Sequence, residues 1–120
     1  MVGRGSRVMV GGFGLVGNPV TVVEALLGNP EATELTIISN ILGDPGRGLG
    51  RLLLEGRVSK AIGSFFTSNP DAVAAYIRGE LEIELTPQGT LAEAIRAGGA
   101  GIGAFYIRTG VGTKIAEGRD

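Results

Sequence analysis

The chain has 120 residues, 43% of them hydrophobic, and a net charge of −1 from 11 basic and 12 acidic side chains. That is enough for one modest domain with its own core, and no basic block or interleaved aromatic pattern points to nucleic acid. Cysteine and histidine are both absent, which excludes disulfides, thiolate metal sites and the Ser-His-Asp and Cys-His arrangements, so chemistry here falls to carboxylates, amides, hydroxyls, lysine or backbone groups.

Arg7–Val10 reads as a first strand, which runs into Gly11-Gly12-Phe13-Gly14-Leu15-Val16-Gly17-Asn18-Pro19. Pro19–Leu27 then reads as a helix with Val22, Val23, Leu26 and Leu27 on one face. Asn18 is the expected N-cap, and Pro19 the first helical residue. Leu35–Ser39 is a β-branched strand, and Leu49–Glu55 a short helix with Leu49, Leu52 and Leu53 at helical spacing. Lys60–Phe65 is a candidate third strand. Asn69-Pro70-Asp71 repeats the cap-then-proline signature and opens a helix through Arg78. Leu81–Leu85 alternates as a strand with one wet face. Thr90–Ala97 is a helix ended by Gly98-Gly99, and Ala104-Phe105-Tyr106 a last short strand.

The alternation of strands and helices predicts an α/β fold, an open and mostly parallel sheet with helices on both faces. Ligands of such sheets bind outside the carboxyl ends of the strands. The glycine turn after Val10, Asn40 after Ser39 and Gln88 after Leu85 all fall there. No internal repeat or linker divides residues 1–120, which read as a single domain. No apolar run is long enough to span a bilayer, and the first residues show no secretory-signal pattern. A cytoplasmic location is the expectation.

The glycine turn contains Gly12-x-Gly14-x-x-Gly17, the spacing of a dinucleotide fingerprint. Such a unit usually carries an acidic residue at the end of its second strand, and here that strand ends Ser39-Asn40. The alternative is a tight turn that binds nothing. Gly110-Val111-Gly112-Thr113-Lys114 lacks the residue order of a phosphate loop. Glu80, Glu82 and Glu84 share one strand face with a period of two, the pattern of a solvated edge. Asp44 reads as a turn residue, and Arg47, Arg51, Arg57 and Lys60 as surface charge. The Gln88 amide both donates and accepts; alone it reads as a loop glutamine.

Taken in order, several segments resemble the alpha subunits of family I CoA-transferases of the succinyl-CoA:3-oxoacid type. They are Val8–Leu15 with Gly17-x-Pro19, Leu35–Asn40, Glu80–Glu93 with its Thr86-Pro87-Gln88-Gly89-Thr90-Leu91 core, Ile95–Ile102, Ala104–Tyr106 and Thr109–Thr113. The resemblance implies ping-pong transfer of coenzyme A from an acyl-CoA such as succinyl-CoA to a 3-oxo acid, acetoacetate or 3-oxoadipate. A glutamate attacks the thioester, and the reaction proceeds through a glutamyl-CoA thioester. In that family the nucleophile lies in the beta subunit or half, within a Ser-Glu-Asn-Gly-type motif absent from this sequence. The resemblance therefore implies a beta-subunit partner that carries the glutamate, no catalytic residue in this chain, no metal, and no cofactor beyond the CoA thioester as substrate. The chain reads as part of an alpha subunit or an unusually short one, inactive alone.

What the resemblance carries over is supportive. Gly11, Gly12, Phe13, Gly14 and Gly17 match the signature that shapes the cleft, Asn40 matches the first of two paired asparagines, and Gln88, beside Gly89, matches a substrate-contacting glutamine. Ile41 stands where the second asparagine is common. Asn18 and Val20 flank Pro19 in place of the usual Ile and Glu, and Gly103 and Ile107-Arg108 depart from a common proline and Thr-Pro. Two other readings stay open at this point: a stand-alone α/β nucleotide-binding module, and a non-catalytic scaffold.

Overall fold

The computed structural model describes residues 1–118. Four strands alternate with four helices: β1 (Arg7–Met9), α1 (Val20–Leu27), β2 (Leu35–Ile38), α2 (Leu49–Leu54), β3 (Val58–Gly63), α3 (Pro70–Ile77), β4 (Glu82–Leu85) and α4 (Gln88–Gly99), followed by a 3-10 turn at Lys114–Ala116. The strands lie in the order β1-β2-β3-β4, all parallel. Val8 stands beside Ile37, Ile37 beside Ala61, and Ala61 beside Ile83. Side chains alternate across a strand, so this row shares one face. Met9, Ile38, Ile62 and Glu84 form the next row on the other.

A parallel sheet whose strands follow sequence order, joined by right-handed crossovers, gathers its connecting helices on one face. The core shows it. Val23 of α1, Leu49, Leu52 and Leu53 of α2, and Ala72 and Ala75 of α3 pack on Leu35, Ile37, Val58 and Ala61. α4 takes the other face, where Leu91 and Ile95 share a cleft with Met9 and Ile38. The sheet is thus open and parallel, with helices on both faces, as the alternation of elements implies.

Four local expectations change, one of them the third strand, which runs Val58–Gly63 and not to Phe65. Ala104–Tyr106 is not a strand; residues 102–108 have no regular structure, and the Tyr106 side chain is exposed. A short segment with two aromatics becomes a strand only where a neighbouring edge takes its backbone groups, and among the described residues this one pairs with none. α4 starts at Gln88 rather than Thr90, directly after Pro87, so Gln88 and Gly89 belong to its first turn. Asn18 does not cap α1. The helix opens at Val20 with Pro19 at the cap position and no side-chain cap bond. Asn18 meets it through its backbone instead, its carbonyl accepting from the Val20 N–H at 2.8 Å. Its side chain is packed toward Gly48, where Oδ1 is buried without a partner.

Asn69-Pro70-Asp71 behaves as its sequence predicts. The Asn69 Oδ1 accepts from the Asp71 N–H at 3.1 Å, and Pro70 fills the first turn. Its Nδ2 also donates to the Leu42 carbonyl at 2.9 Å, which ties α3 to the loop after β2. With the side chain fully buried, truncation leaves a carbonyl and an N–H unpaired. Asn69→Ala is expected to cost about 1–3 kcal/mol, read as a lowered midpoint in urea unfolding.

On the same face of the sheet as α4, Lys60 Nζ reaches Glu82 at 2.9 Å and Glu84 at 3.1 Å. The hydrogen bonds it donates, to Glu82 first and Glu84 second, hold its pKa above the ordinary 10.5. A raised lysine pKa means that the folded state keeps the proton longer than the unfolded chain. The contribution is complete below pH 10.5 and is lost as pH climbs through the folded value. Melting temperature should therefore fall more steeply above that pH in the parent chain than in Lys60→Met, measured by circular dichroism across an alkaline series.

Candidate functional site

The glycine segment after β1 folds into a tight hairpin rather than an open cradle. Phe13 and Val16 exchange N–H···O bonds of 2.8 and 3.0 Å around Gly14-Leu15. Gly14, at φ +61°, takes the first central position, where primed hairpin turns need positive φ. The turn projects Phe13 and Val16 outward, at 71% and 80% exposure. Gly12 sits at φ +111°, and a Cβ there would stand 2.8 Å from the Asn18 nitrogen. A side chain at position 12 is excluded by conformation and by space.

Two hollows meet beside this turn. One, of about 340 Å³, lies between the carboxyl ends of β1 and β2 and the start of α4; Gly11, Gly12, Ser39, Asn40, Gln88 and Leu91 are among its walls. The other, of about 480 Å³, is formed by Phe13, Ile41, Ser64 and Phe65 together with Asn40 and Gln88. Asn40 and Gln88 thus stand on the ridge shared by both. The structure brings Gly11, Gly12, Phe13, Asn40 and Gln88 together. Gly14 lies alongside, with Ile41 Cδ1 3.8 Å from where its Cβ would be. Gly17 backs onto Gly12 within the turn, 3.7 Å from its Cα by the same measure. Gly89 is exposed on α4. Neither Gly17 nor Gly89 lines a hollow.

The structure adds Ser64 and Phe65. The signal for Ser64 was its place after a strand, the same signal that marks Asn40. Extending the third strand to Phe65 hid it, because β3 ends at Gly63. Ile41, a departure from the resembled pattern, is buried and gives the second hollow an apolar wall.

The two amides on the ridge are held in a common sense. The Asn40 Oδ1 accepts from the Ile41 N–H at 2.9 Å. The Gln88 Oε1 accepts from the Ser64 hydroxyl. Asn40's backbone carbonyl accepts from the N–H groups of Ser64 and Phe65 at 3.0 and 3.1 Å. Among the described residues, nothing accepts from Asn40 Nδ2 or Gln88 Nε2. Both side chains therefore turn their oxygens to the protein and leave their N–H groups for a ligand.

Among the described residues, no charged side chain lines either hollow. Three of the four cations noted in the sequence are engaged elsewhere. Arg57 donates to the carbonyls of Leu27, Asn29 and Ala32 at the end of α1, Arg51 pairs with Glu24, and Lys60 with Glu82 and Glu84. Glu80 faces Arg78 on the surface. The end of β2 presents no carboxylate to the cleft, so the group that holds a ribose in dinucleotide sites is missing. The remaining chemistry is neutral hydrogen-bond donation toward an oxygen that carries or develops negative charge.

The model of the coenzyme A transferase family matches residues 2–120. The chain is 47% identical over 117 residues to the A subunit of the probable succinyl-CoA:3-ketoacid coenzyme A transferase of Mycobacterium tuberculosis (strain ATCC 25618 / H37Rv), covering 98% of this chain and 47% of that one. To the A subunit of the succinyl-CoA:3-ketoacid coenzyme A transferase of Xanthomonas campestris pv. campestris (strain B100) it is 48% identical over 120 residues, 100% of this chain and 49% of the relative. To the alpha subunit of the acetate CoA-transferase of Escherichia coli (strain K12) it is 46% identical over 115 residues, 96% and 52% of the two chains. The chain thus spans about half the length of these curated relatives.

Gly12→Ala tests the turn that walls the cleft. Positive φ and the close Asn18 backbone should together cost about 1–3 kcal/mol, seen as a lower denaturation midpoint. Gly11→Ala, at a position with open space around its Cα, should cost less than half as much.

Proposed function

The chain belongs to the coenzyme A transferase family, and from that premise we propose that it supplies the amide-donor wall of a site that moves coenzyme A between carboxylic acids. The observation that carries the reading is the pair Asn40 and Gln88. Their amide oxygens are engaged by protein donors and their N–H groups are unspent, at the carboxyl ends of parallel strands and between two uncharged hollows.

In this reading a glutamate carboxylate on a beta-type partner attacks the thioester carbonyl of an acyl-CoA such as succinyl-CoA. The C–S bond breaks, giving an acyl-glutamyl anhydride and the CoA thiolate. The thiolate then attacks the glutamyl carbonyl, forming the glutamyl-CoA thioester and releasing the donor acid. A 3-oxo acid, acetoacetate or 3-oxoadipate, takes the CoA by the same steps in reverse. Each addition places negative charge on a carbonyl oxygen, and Asn40 Nδ2 and Gln88 Nε2 are the donors this chain would offer to it. The turn at Gly11, Gly12 and Phe13, braced from behind by Gly14 and Gly17, would shape the path to them. With neither cysteine nor histidine in the chain, the chemistry rests on carboxylates and amides, and this reading asks for no resident metal or cofactor. Among the described residues no helix is long and apolar enough to cross a membrane, and the cytoplasm is the setting we assign.

Three features support this reading over a nucleotide-binding module: the family, the naming of relatives as A or alpha subunits, and the missing carboxylate at the end of β2. The test is co-expression with a chain that carries a Ser-Glu-Asn-Gly motif, followed by succinyl-CoA-dependent transfer to acetoacetate. Asn40→Ala and Gln88→Ala should each lower kcat by about 10²-fold with the assembly intact by size-exclusion chromatography. Unchanged turnover in both would sink the assignment. Tight NAD binding by the isolated chain would support the module instead.

A further inference from the structure

We propose that Ser64 is a positioning residue that sets the polarity of the Gln88 amide, so that nitrogen and not oxygen faces the cleft. The inference rests on the reading of this cleft as a site for an acyl oxygen.

Ser64 has one hydroxyl proton and two acceptors in reach, the Asn40 carbonyl at 3.1 Å and the Gln88 Oε1. The Asn40 carbonyl already accepts from two backbone N–H groups, those of Ser64 and Phe65. Those two donors share the oxygen's two lone pairs, so a third bond from Ser64 is crowded there, and the Gln88 Oε1 is the better acceptor for its proton. The donated bond pins Oε1 on Ser64 and turns Nε2 away from it.

The alternative arrangement would undo the site. A glutamine amide rotates about its last bond with little preference between its two faces. On an exposed side chain such as Gln88, nothing else among the described hydrogen bonds selects one. With the amide turned over, its oxygen would face a developing oxyanion and repel it. Ser64 itself is fixed. Its N–H is bonded to Asn40, and the preceding Gly63 lies so close to the Ser39 carbonyl that a Cβ would collide with it. The hydroxyl thus stands on the most constrained backbone of the site, and the amide it orients stands on a separate helix.

The experiment uses the assembled complex with the glutamate-bearing partner. Ser64→Ala should lower kcat about 3–10-fold, the worth of one hydrogen bond, and leave KM within about twofold, because the oriented donor acts on the transition state. Ser64→Thr keeps the hydroxyl and should restore most of the rate. In a Gln88→Ala background, Ser64→Ala should cost nothing further, since a residue that acts only through Gln88 has no second route. The second readout is independent of turnover. With ¹⁵N-glutamine labelling of this chain, the Gln88 side-chain amide, assigned by its loss in Gln88→Ala, should be ordered in the parent complex and in Ser64→Thr, and averaged in Ser64→Ala. Equal amide order in the parent and Ser64→Ala overturns the proposal, as does a full additive loss in the double variant. A parent complex that transfers no coenzyme A overturns the functional reading alone, and the amide measurement then decides whether Ser64 orients Gln88.

Discussion

The carbonyl of Asn40 is the point on which the site depends. It accepts from the N–H groups of Ser64 and Phe65 and lies within reach of the Ser64 hydroxyl, so the chain leaving β2 is fastened to the chain leaving β3. The fastening requires the two backbones to come unusually close, and Gly63 allows it: any Cβ there would strike the Ser39 carbonyl and press on Phe66 and Asn40. A parallel ladder normally ends with its strands diverging into separate loops. Here the ladder is carried past its last paired residues, Ile38 and Ile62, and the side chains just beyond are held with it. Asn40 and Ser64 owe their fixed positions to backbone bonds, and Gln88 owes its own to Ser64.

Those bonds explain why short, polar side chains suffice at a site on loops. Each hydrogen bond contributes about 1 kcal/mol net, too little to organise a loop of independent residues against chain entropy. Concentrated on one carbonyl and backed by the buried Leu42–Asn69 tie, they act on the same few residues. The first residues of the loop between β2 and α2 are packed, not draped: Ile41, Leu42 and Gly43 are buried, and Asn69 holds the Leu42 carbonyl from α3. The floor of the second hollow is therefore continuous with the core, while its aromatic rim, Phe13 and Phe65, stays open.

Much of this was legible in the residues. β-branched runs and helical spacing gave the strands and helices in order, and with them the parallel sheet and the three strand ends where Gly11–Gly12, Asn40 and Gln88 converge. Two of the three asparagine-proline pairs show where the reading stops. Asn69-Pro70 and Asn18-Pro19 look alike locally, yet only the first caps its helix. Asn69 has a second partner, the Leu42 carbonyl, that holds its side chain in the capping rotamer. Asn18 is packed against Gly48, and that contact is set by how two glycine turns meet in space, which no local pattern encodes. Ala104–Tyr106 fails for a related reason: aromatic composition favours a strand, but a strand is a pairing and this segment finds no edge among the described residues. Ser64 was missed through an error of two residues in one strand end, enough to move a loop side chain into a ladder.

The neutrality of the cleft bears on how such a site could work. A lysine or arginine among its walls would bind a carboxylate substrate in the ground state, and that binding does nothing for the chemical step unless it strengthens on the way to the transition state. Amide donors discriminate better. An uncharged thioester oxygen accepts from them weakly, and the same oxygen carrying negative charge accepts far more strongly, so most of the interaction is realised where charge develops. That advantage holds only if the donors are already aimed, because an amide that must turn during the reaction loses the gain in reorganisation. The engaged oxygens of Asn40 and Gln88 meet that condition. A donor wall of this kind supplies hydrogen bonds and no nucleophile, so the function proposed above needs its attacking carboxylate from outside these two hollows.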